Sequence, residues 1–152
     1  MDLQSMDETE RITRSPAETE ALGECWGRDA ERGTVFALCG DLGAGKTQLV
    51  RGIARGLGFS GRVHSPTFTL VNVYEGGRLT LFHLDLYRLE TREQLLSAGI
   101  HEYLDPDGVS VIEWAERWFS ESHGPLPANV HPVRIETVAE TERRISYEYS
   151  GH

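Results

Sequence analysis

Lysine, cysteine and long apolar segments are scarce in this 152-residue chain. Its longest uninterrupted apolar run, Val35–Cys39, has five residues, whereas a helix that spans a bilayer needs about 20. The first ten residues are acidic and lack the apolar core of a secretory signal. Two cysteines, Cys25 and Cys39, are too few for a disulfide framework, and both lie in apolar-patterned segments, so we expect buried thiols in a reducing cytoplasm. These shortages argue against membrane insertion and secretion.

The charge distribution points to an anion held near the middle of the chain. The formal net charge is −9, which argues against a protein whose main task is to bind a nucleic-acid backbone. Residues 1–31 and 90–152 sum to −6 and −7, but residues 32–89 sum to +4. A positive middle in an acidic protein suggests a locally bound anion such as a nucleotide, with solvated arginines on helix faces as the ordinary alternative. Lys46, the only lysine of the chain, lies in this segment.

Cap residues and apolar spacing predict the first helix. Ser15 is suited to cap it and Pro16 to its first turn, and Glu18 completes a Ser-x-x-Glu capping box. Apolar residues then follow at helical spacing as far as Ala30, and Gly33 ends the element. We therefore expect a helix that begins directly after Ser15.

The rest of the chain is richer in strands than in helices. Continuous apolar runs predict buried strands at Val35–Cys39 and Val109–Glu113. The other predicted elements are an edge strand near Arg11–Thr13, helices over Leu49–Leu57 and Glu93–Ser97, a hairpin of Thr67–Glu75 and Arg78–Leu84 about Gly76-Gly77, and a second hairpin of Val133–Val138 and Arg144–Tyr149. This order predicts one α/β domain over residues 11–152, with a mixed central sheet and flanking helices, preceded by an acidic, disordered leader of residues 1–10.

A phosphate-binding loop follows the first buried strand. The pattern G-x-x-x-x-G-K-[ST] is matched in full by Gly40-Asp41-Leu42-Gly43-Ala44-Gly45-Lys46-Thr47. The glycines allow successive N–H groups to point at a phosphate, and the next helix presents its positive N-terminal end. Lys46 is then placed to contact the β- and γ-phosphates, and Thr47 to put its hydroxyl on Mg²⁺. The sequence therefore predicts a P-loop NTPase-like sandwich.

Two carboxylates are candidates for the metal and the attacking water. Asp85 follows the predicted strand that ends at Leu84, and Glu113 ends the strand Val109–Glu113. Ligands of open α/β sheets gather beyond the carboxyl ends of the strands, where such groups bind Mg²⁺ or orient water. For either residue alone, a helix cap or a surface ion pair is the ordinary alternative. As a pair beside a phosphate loop they are interpreted as functional.

Three further features carry weaker signals. Thr67, in His64-Ser65-Pro66-Thr67, lies where NTPases often place a loop whose hydroxyl contacts the γ-phosphate, although a Ser-Pro turn explains these residues nearly as well. Trp114 and Trp118 stand one helical turn apart and are interpreted as core. The six histidines show no metal-ligand spacing, so we expect no structural metal.

In combination these motifs resemble the TsaE family, small bacterial ATPases of tRNA threonylcarbamoyladenosine biosynthesis. The resemblance extends from about Ile12 to about Tyr147. It is carried by the phosphate loop together with the blocks His64-Ser-Pro-Thr-Phe-Thr-Leu-Val71, His83-Leu-Asp-Leu-Tyr-Arg-Leu89, Gly99-Ile-His-Glu-Tyr-Leu104 and Val111-Ile-Glu-Trp114. The phosphate loop is generic, but the order and spacing of the other blocks are specific.

The resemblance implies roles for individual residues. Lys46 and Thr47 match the family's phosphate and magnesium residues, Glu113 its magnesium-linked glutamate, Asp85 its strand-end aspartate, and Thr67 the threonine of a nucleotide-responsive loop. It also implies an adenine site between Ser15, Pro16 and the turn Glu140–Arg143, which includes Glu142. The family commonly has a second threonine after the phosphate loop, where this chain has Gln48.

As a function, the resemblance implies a cytoplasmic, partner-dependent ATPase that uses ATP and Mg²⁺, acts on a complex of TsaB and TsaD, and meets tRNA only indirectly. From the residues themselves two alternatives stay open. One is a small-molecule kinase, which needs an arginine-rich lid, whereas the chain beyond Leu89 has five arginines among twelve acids. The other is a nucleotide-sensing subunit that binds ATP without hydrolysing it. Which of Asp85 and Glu113 positions the water is also open.

Overall fold

The computed structural model describes residues 9–40, 45–63, 70–119 and 126–147. Within these ranges the chain forms seven strands: β1 (Thr9–Thr13), β2 (Val35–Gly40), β3 (Val71–Tyr74), β4 (Leu81–Asp85), β5 (Val109–Glu113), β6 (Val130–Thr137) and β7 (Arg143–Tyr147). The same ranges contain five helices: α1 (Pro16–Asp29), α2 (Lys46–Gly56), α3 (Arg92–Ser97), α4 (Ile100–Leu104) and α5 (Glu116–Phe119). No helix of the described ranges is long and apolar enough to cross a membrane.

The strands form a single mixed sheet in the order β1-β7-β6-β2-β5-β4-β3. Its four central strands, β6, β2, β5 and β4, are parallel, and antiparallel pairs complete both sides. The carboxyl ends of β2, β4 and β5 therefore meet at one edge of the sheet. The predicted α/β fold with a mixed central sheet and flanking helices is confirmed.

Helices cover both faces of the sheet because the buried strands are apolar on both sides. On one face, Phe36 and Leu38 of β2 pack with Leu49 and Ile53 of α2. On the other face, neighbouring β2 residues such as Ala37 lie in a second cluster, to which α3, α4 and α5 contribute Leu95, Ile100 and Trp118. The interpretation of Trp118 as core is confirmed.

Helix α1 begins as its sequence predicts. The Ser15 side chain accepts a hydrogen bond from the N–H of Glu18 at 3.1 Å, and Pro16 occupies the first turn. The Glu18 carboxylate accepts from the N–H of Arg14, so the segment that enters the helix is fixed as well. This segment connects β1 directly to α1 and holds Ser15 beside the sheet.

Helices α1 and α2 pack unusually closely. Gly23 and Gly27 of α1 face Gly52 and Gly56 of α2, and a Cβ atom on any of the four would meet a backbone carbonyl oxygen of the opposite helix. The absence of these side chains lets the two backbones touch. The buried face of α1 includes both of its glycines with Leu22 and Trp26, and Cys25 lies on the exposed side of the helix. The expectation of a buried Cys25 is wrong for this reason, while Cys39 is partly buried.

Two connections differ from the sequence predictions. The register pairs Tyr74 with Leu81, so β3 and β4 are joined by residues 75–80 instead of a two-residue turn at Gly76-Gly77. The backbone N–H of Arg78 donates to the carbonyl of Leu57, so part of this connection is fixed to the end of α2. The short helices α4 and α5 were not predicted. Strand β1 begins at Thr9, within the segment assigned to the leader.

Candidate functional site

The candidate site lies where β2, β4 and β5 end, beside the start of α2. Glu113 is the last residue of β5, and the register pairs it with Leu38 of β2 and with Asp85, the last residue of β4. Gly40 ends β2, and Lys46 begins α2. The structure therefore brings together three side chains that the sequence analysis singled out at separate places: a lysine and two carboxylates.

Lys46 is buried, and its ammonium group is held by two contacts. Its Nζ donates to the carbonyl oxygen of Gly40 at 3.0 Å and lies 4.1 Å from the ring centroid of Trp114. A carbonyl oxygen and the face of an indole both attract a cation, so these two contacts offset part of the cost of burying the charge. These contacts keep the ammonium group at the end of β2, directly beside the phosphate loop.

Trp114 has a backbone conformation that side chains rarely adopt, with φ at +58°. Its ring is flanked by the ring of Tyr87, 4.9 Å away, and by the guanidinium group of Arg117, 5.9 Å away. The turn after β5 thereby places the indole over Lys46. The interpretation of Trp114 as a core residue misses this contact.

Glu113 is nearly inaccessible to solvent and has one close partner. Its Oε2 lies 2.5 Å from Nε2 of His83, an imidazole that is wholly buried. A short contact of this kind between a ring nitrogen and a carboxylate is a strong hydrogen bond. It restricts the rotation of the carboxylate at the point where β5 ends.

Asp85 is more open than Glu113 and is held by the backbone. Its Oδ1 accepts a hydrogen bond from the N–H of Tyr87 at 3.0 Å. Burial raises the pKa of its carboxyl group, and the hydrogen bond from Tyr87 opposes this shift, as does the charge of Lys46. The two carboxylates therefore stand in different environments: among the described residues Glu113 is paired with a side chain, whereas Asp85 accepts from a backbone N–H.

The first turn of α2 suits an anion. Gly45 caps the helix in a left-handed conformation, with φ at +94°, and offers no side chain to the first N–H groups. The turn contains no acidic residue, so the positive end of the helix is not neutralised from within. Thr47 lies in this turn. Four of the predicted loop residues, Asp41, Leu42, Gly43 and Ala44, lie outside the described ranges, as does Thr67.

A cleft of about 90 Å³ lies beside Gly45. Ser15 and Pro16 line one side of it, and the turn between β6 and β7 lines the other with Glu140, Thr141 and Arg143. Glu142 belongs to the same turn but does not line the cleft. Arg143 holds the turn, because its Nη1 donates to the carbonyls of Ala139, Glu140 and Glu142 at 3.1, 3.3 and 3.0 Å.

The residues of the site fit a magnesium nucleotide. A hydroxyl from Thr47 and carboxylates from Glu113 and Asp85 are oxygen ligands, which Mg²⁺ prefers. Within the described ranges no group of three or more His, Cys, Asp or Glu side chains forms a metal cage. Mg²⁺ does not need one, since it takes few protein ligands and completes its coordination with phosphates and water.

Sequence reasoning missed His83 as a member of the site. The signal that identifies it is the two-residue period of a strand, which puts residues 83 and 85 on the same face of β4. Trp114 carries a comparable signal, because it directly follows a strand-end carboxylate.

The chain is similar to proteins that share one assigned role, in tRNA threonylcarbamoyladenosine biosynthesis. The profile of a family described as "Threonylcarbamoyl adenosine biosynthesis protein TsaE" matches residues 13–145. The tRNA threonylcarbamoyladenosine biosynthesis protein TsaE of Treponema pallidum (strain Nichols) is 43% identical over 135 residues, which cover 89% of this chain and 96% of the relative. The protein of the same name from Bacillus subtilis (strain 168) is 38% identical over 140 residues, covering 92% and 85%.

A solved structure has the same fold. The crystal structure of YdiB from Bacillus subtilis superposes with a TM-score of 0.75 at 34% sequence identity, and the match covers 92% of this chain and 84% of that one. The matched region includes nearly all of the described strands and helices.

Proposed function

This chain belongs to the TsaE family and takes part in tRNA threonylcarbamoyladenosine biosynthesis, and we propose that it serves there as a magnesium-dependent ATPase that acts on the TsaB–TsaD complex. The observation that carries the proposal is the convergence of Lys46, Asp85 and Glu113 beside the N-terminus of α2. A protein that only stores nucleotide needs the cation and the helix, but it does not need two carboxylates at the strand ends. We place the reaction in the cytoplasm, with tRNA met only through the partner proteins.

In the proposed reaction the phosphate loop, Gly40–Thr47, binds the triphosphate. Lys46 leaves the Gly40 carbonyl and the Trp114 ring and turns its ammonium group toward the β- and γ-phosphates. Thr47 with one or both carboxylates would hold Mg²⁺, which would supply positive charge to offset that of the phosphates. The adenosine moiety extends into the cleft between Ser15, Pro16 and the β6–β7 turn.

Glu113 is the side chain best placed to orient a water molecule. Its carboxylate is ionisable, nearly dry and fixed by His83, so it presents one direction to an incoming nucleophile. Asp85 is more solvated and is held by a backbone N–H, which suits contact with the metal through water. We therefore assign the water to Glu113 and the outer metal contact to Asp85.

ATP turnover by the purified protein, with and without TsaB–TsaD, tests this function. Stimulation of phosphate release by the complex supports it. Transfer of the phosphoryl group to a metabolite would instead indicate a small-molecule kinase. Tight ATP binding without turnover in either condition would indicate a nucleotide-sensing subunit.

The nucleotide state should control partner affinity through Thr67. If its hydroxyl contacts the γ-phosphate, loss of that contact after hydrolysis weakens binding to TsaB–TsaD by about 1–3 kcal/mol, or roughly 5- to 150-fold. Thr67→Val keeps the shape and removes the hydroxyl, so it should narrow the difference between a non-hydrolysable ATP analogue and ADP. If the wild-type protein bound TsaB–TsaD equally well with the ATP analogue and with ADP, the nucleotide would not control partner affinity.

A further inference from the structure

We propose that His83 is the positioning residue of the site: its Nε2–H group holds Oε2 of Glu113, so that the other carboxylate oxygen is presented to the nucleotide. The inference rests on the proposed function for its catalytic meaning. The hydrogen bond itself is a property of the folded chain and is testable without ATP.

The sheet register places the two residues for this contact. β4 and β5 are parallel, with His83 opposite Val111 and Asp85 opposite Glu113. Residues two apart on a strand point to the same face, so His83 and Glu113 lie diagonally on the face covered by α2. The 2.5 Å contact between Nε2 and Oε2 spans this diagonal.

The surroundings of the His83 imidazole restrict its position and its polar contacts. It is wholly buried, and the ring of Tyr74 on β3 lies 6.2 Å from it, centroid to centroid. Its second nitrogen, Nδ1, is buried and has no hydrogen-bond partner among the described residues. A buried histidine kept only for packing would be expected to have both nitrogens satisfied or to be replaced by an apolar side chain. Within the part of the chain that the structure describes, the one polar contact of this imidazole is with a carboxylate of the site.

The pairing also requires a proton on Nε2. A neutral imidazole has one N–H, and an ionised carboxylate accepts but does not donate. An imidazole that pairs with an ionised carboxylate through Nε2 must therefore carry a proton on that nitrogen, whether or not Nδ1 is protonated as well. The proton on Nε2 is a spectroscopic signature of the proposed arrangement, because packing alone does not require it.

Two substitutions separate the hydrogen bond that His83 donates to Glu113 from the packing of its ring. His83→Gln retains an N–H donor near the position of Nε2, whereas His83→Leu fills the space without a donor. Leu81→Val is the matched control, since residue 81 is buried on the same face of β4 two positions earlier and does not take part in the site. Each variant is compared with the wild type in thermal stability, in affinity for a non-hydrolysable ATP analogue with Mg²⁺, and in turnover with TsaB–TsaD.

We expect His83→Leu to lower kcat by about 10- to 100-fold while the affinity for the analogue stays within about threefold. His83→Gln should recover most of the lost turnover, and Leu81→Val should lose stability without a matching loss of kcat. Full turnover in His83→Leu would overturn the proposal. So would an equal loss of kcat in Leu81→Val at the same stability.

A measurement without nucleotide keeps this inference distinct from the proposed function. The ¹⁵N and ¹H resonances of the His83 ring in the wild-type chain should show the proton on Nε2, and Glu113→Gln should shift them. A ring whose Nε2 carries no proton would overturn the inference even if the protein hydrolyses ATP. If the protein has no ATPase activity but the Nε2–H signal responds to Glu113→Gln, the positioning of Glu113 stands and the proposed function fails.

Discussion

Lys46 contributes to the fold as well as to the proposed nucleotide site. Only 5% of the residue is exposed, so its methylene groups pack in the interior while the ammonium group lies on Gly40 and Trp114. The usual alanine substitution would therefore remove packing and charge together. Lys46→Met keeps most of the aliphatic volume and removes only the charge.

We expect Lys46→Met to weaken Mg·ATP binding by about 10- to 150-fold, the value of a charge-assisted contact of about 1.5–3 kcal/mol. Its thermal stability should stay near that of the wild type. Lys46→Ala should lose about 1–2 kcal/mol of stability in addition, because buried methylenes are deleted. Calorimetry with ATP and a thermal melt on both variants check this. Wild-type affinity in a folded Lys46→Met protein would contradict the role of the lysine.

The two carboxylates are separable by amide substitutions. Glu113→Gln keeps a carbonyl oxygen that accepts from His83, so it removes the negative charge and little else. Turnover with TsaB–TsaD should fall by about 100-fold or more, with ATP affinity nearly unchanged. Asp85→Asn should cause a smaller loss of turnover. Phosphate release and analogue affinity are the measurements, and unchanged turnover in both variants would make these residues structural.

At the level of secondary structure elements, the close contact between α1 and α2 sets the position of α2, the helix that begins at Lys46. An alanine in a helix interior is favoured over glycine by about 1 kcal/mol, so an unhindered Gly52→Ala change would stabilise α2. Here the new Cβ atom would meet the Glu20 carbonyl oxygen and push the helices apart. We expect a net loss of about 1–3 kcal/mol, or roughly 2–12 °C in Tm. A thermal melt of Gly52→Ala checks this prediction. A Tm above that of the wild type would rule out the close contact between α1 and α2.

Strand β6 carries a group that makes stability depend on pH. Half-buried His131 packs against the ring of Phe36, 6.1 Å between centroids, and burial lowers its pKa from the ordinary value of 6.5. As pH falls, the unfolded chain takes up a proton at His131 before the folded chain does. The free energy of unfolding is therefore unaffected by this group above pH 6.5 and decreases as pH falls below 6.5.

His131→Gln should therefore lose less free energy of unfolding than the wild type between pH 7.5 and pH 5.5. Urea unfolding of both proteins at the two pH values measures this difference. Equal losses would show that another group causes the acid sensitivity.

Some elements could be predicted from the sequence because their signals are local. Ser15 and Pro16 mark the start of α1, and the apolar runs of β2 and β5 are continuous. The connection between β3 and β4 could not be predicted in the same way. Its length depends on the contact of Arg78 with Leu57, which are remote in sequence.

The same distinction applies to the candidate site. The phosphate loop is a contiguous motif, whereas the contact of His83 with Glu113 depends on the pairing of β4 with β5. The exposure of Cys25 depends on which face of α1 packs against α2. Sequence reasoning thus identified residues whose chemistry is local and missed those whose neighbours are set by the sheet register or by helix packing.

For the whole molecule, the segments of different net charge form different parts of the fold. The segment 32–89, with its formal charge of +4, supplies β2, α2 and β4, which carry Lys46 and Asp85. The acidic first and last segments supply α1 and the strands β1, β6 and β7 at one side of the sheet, and the last segment also supplies β5 with Glu113 and the helices α3, α4 and α5. The positive part of an acidic chain is therefore concentrated where the nucleotide is proposed to bind, and the acidic remainder suits a protein that docks on other proteins rather than on RNA.

The pairing of β1 with β7 connects the two ends of the described chain at the edge of the sheet. The cleft beside Gly45 depends on this pairing, because Ser15 and Pro16 follow β1 while Arg143 begins β7. Edge strands open locally more readily than central ones, and each such opening would take the cleft apart while leaving the phosphate loop on β2 and α2. A ligand that occupies both the cleft and the phosphate loop must therefore reduce the local unfolding of β1 and β7.

Amide hydrogen exchange should record this suppression. At 100 times its Kd, Mg·ATP should slow the exchange of β1 and β7 amides by up to about 100-fold. Pyrophosphate, which has no adenosine to place in the cleft, should protect α2 and leave β1 and β7 exchanging as before. Equal protection by both ligands would exclude the cleft from the nucleotide site. The exchange rate of the β1 and β7 amides would then distinguish a nucleotide bound through both its adenosine and its phosphates from a ligand bound through phosphates alone.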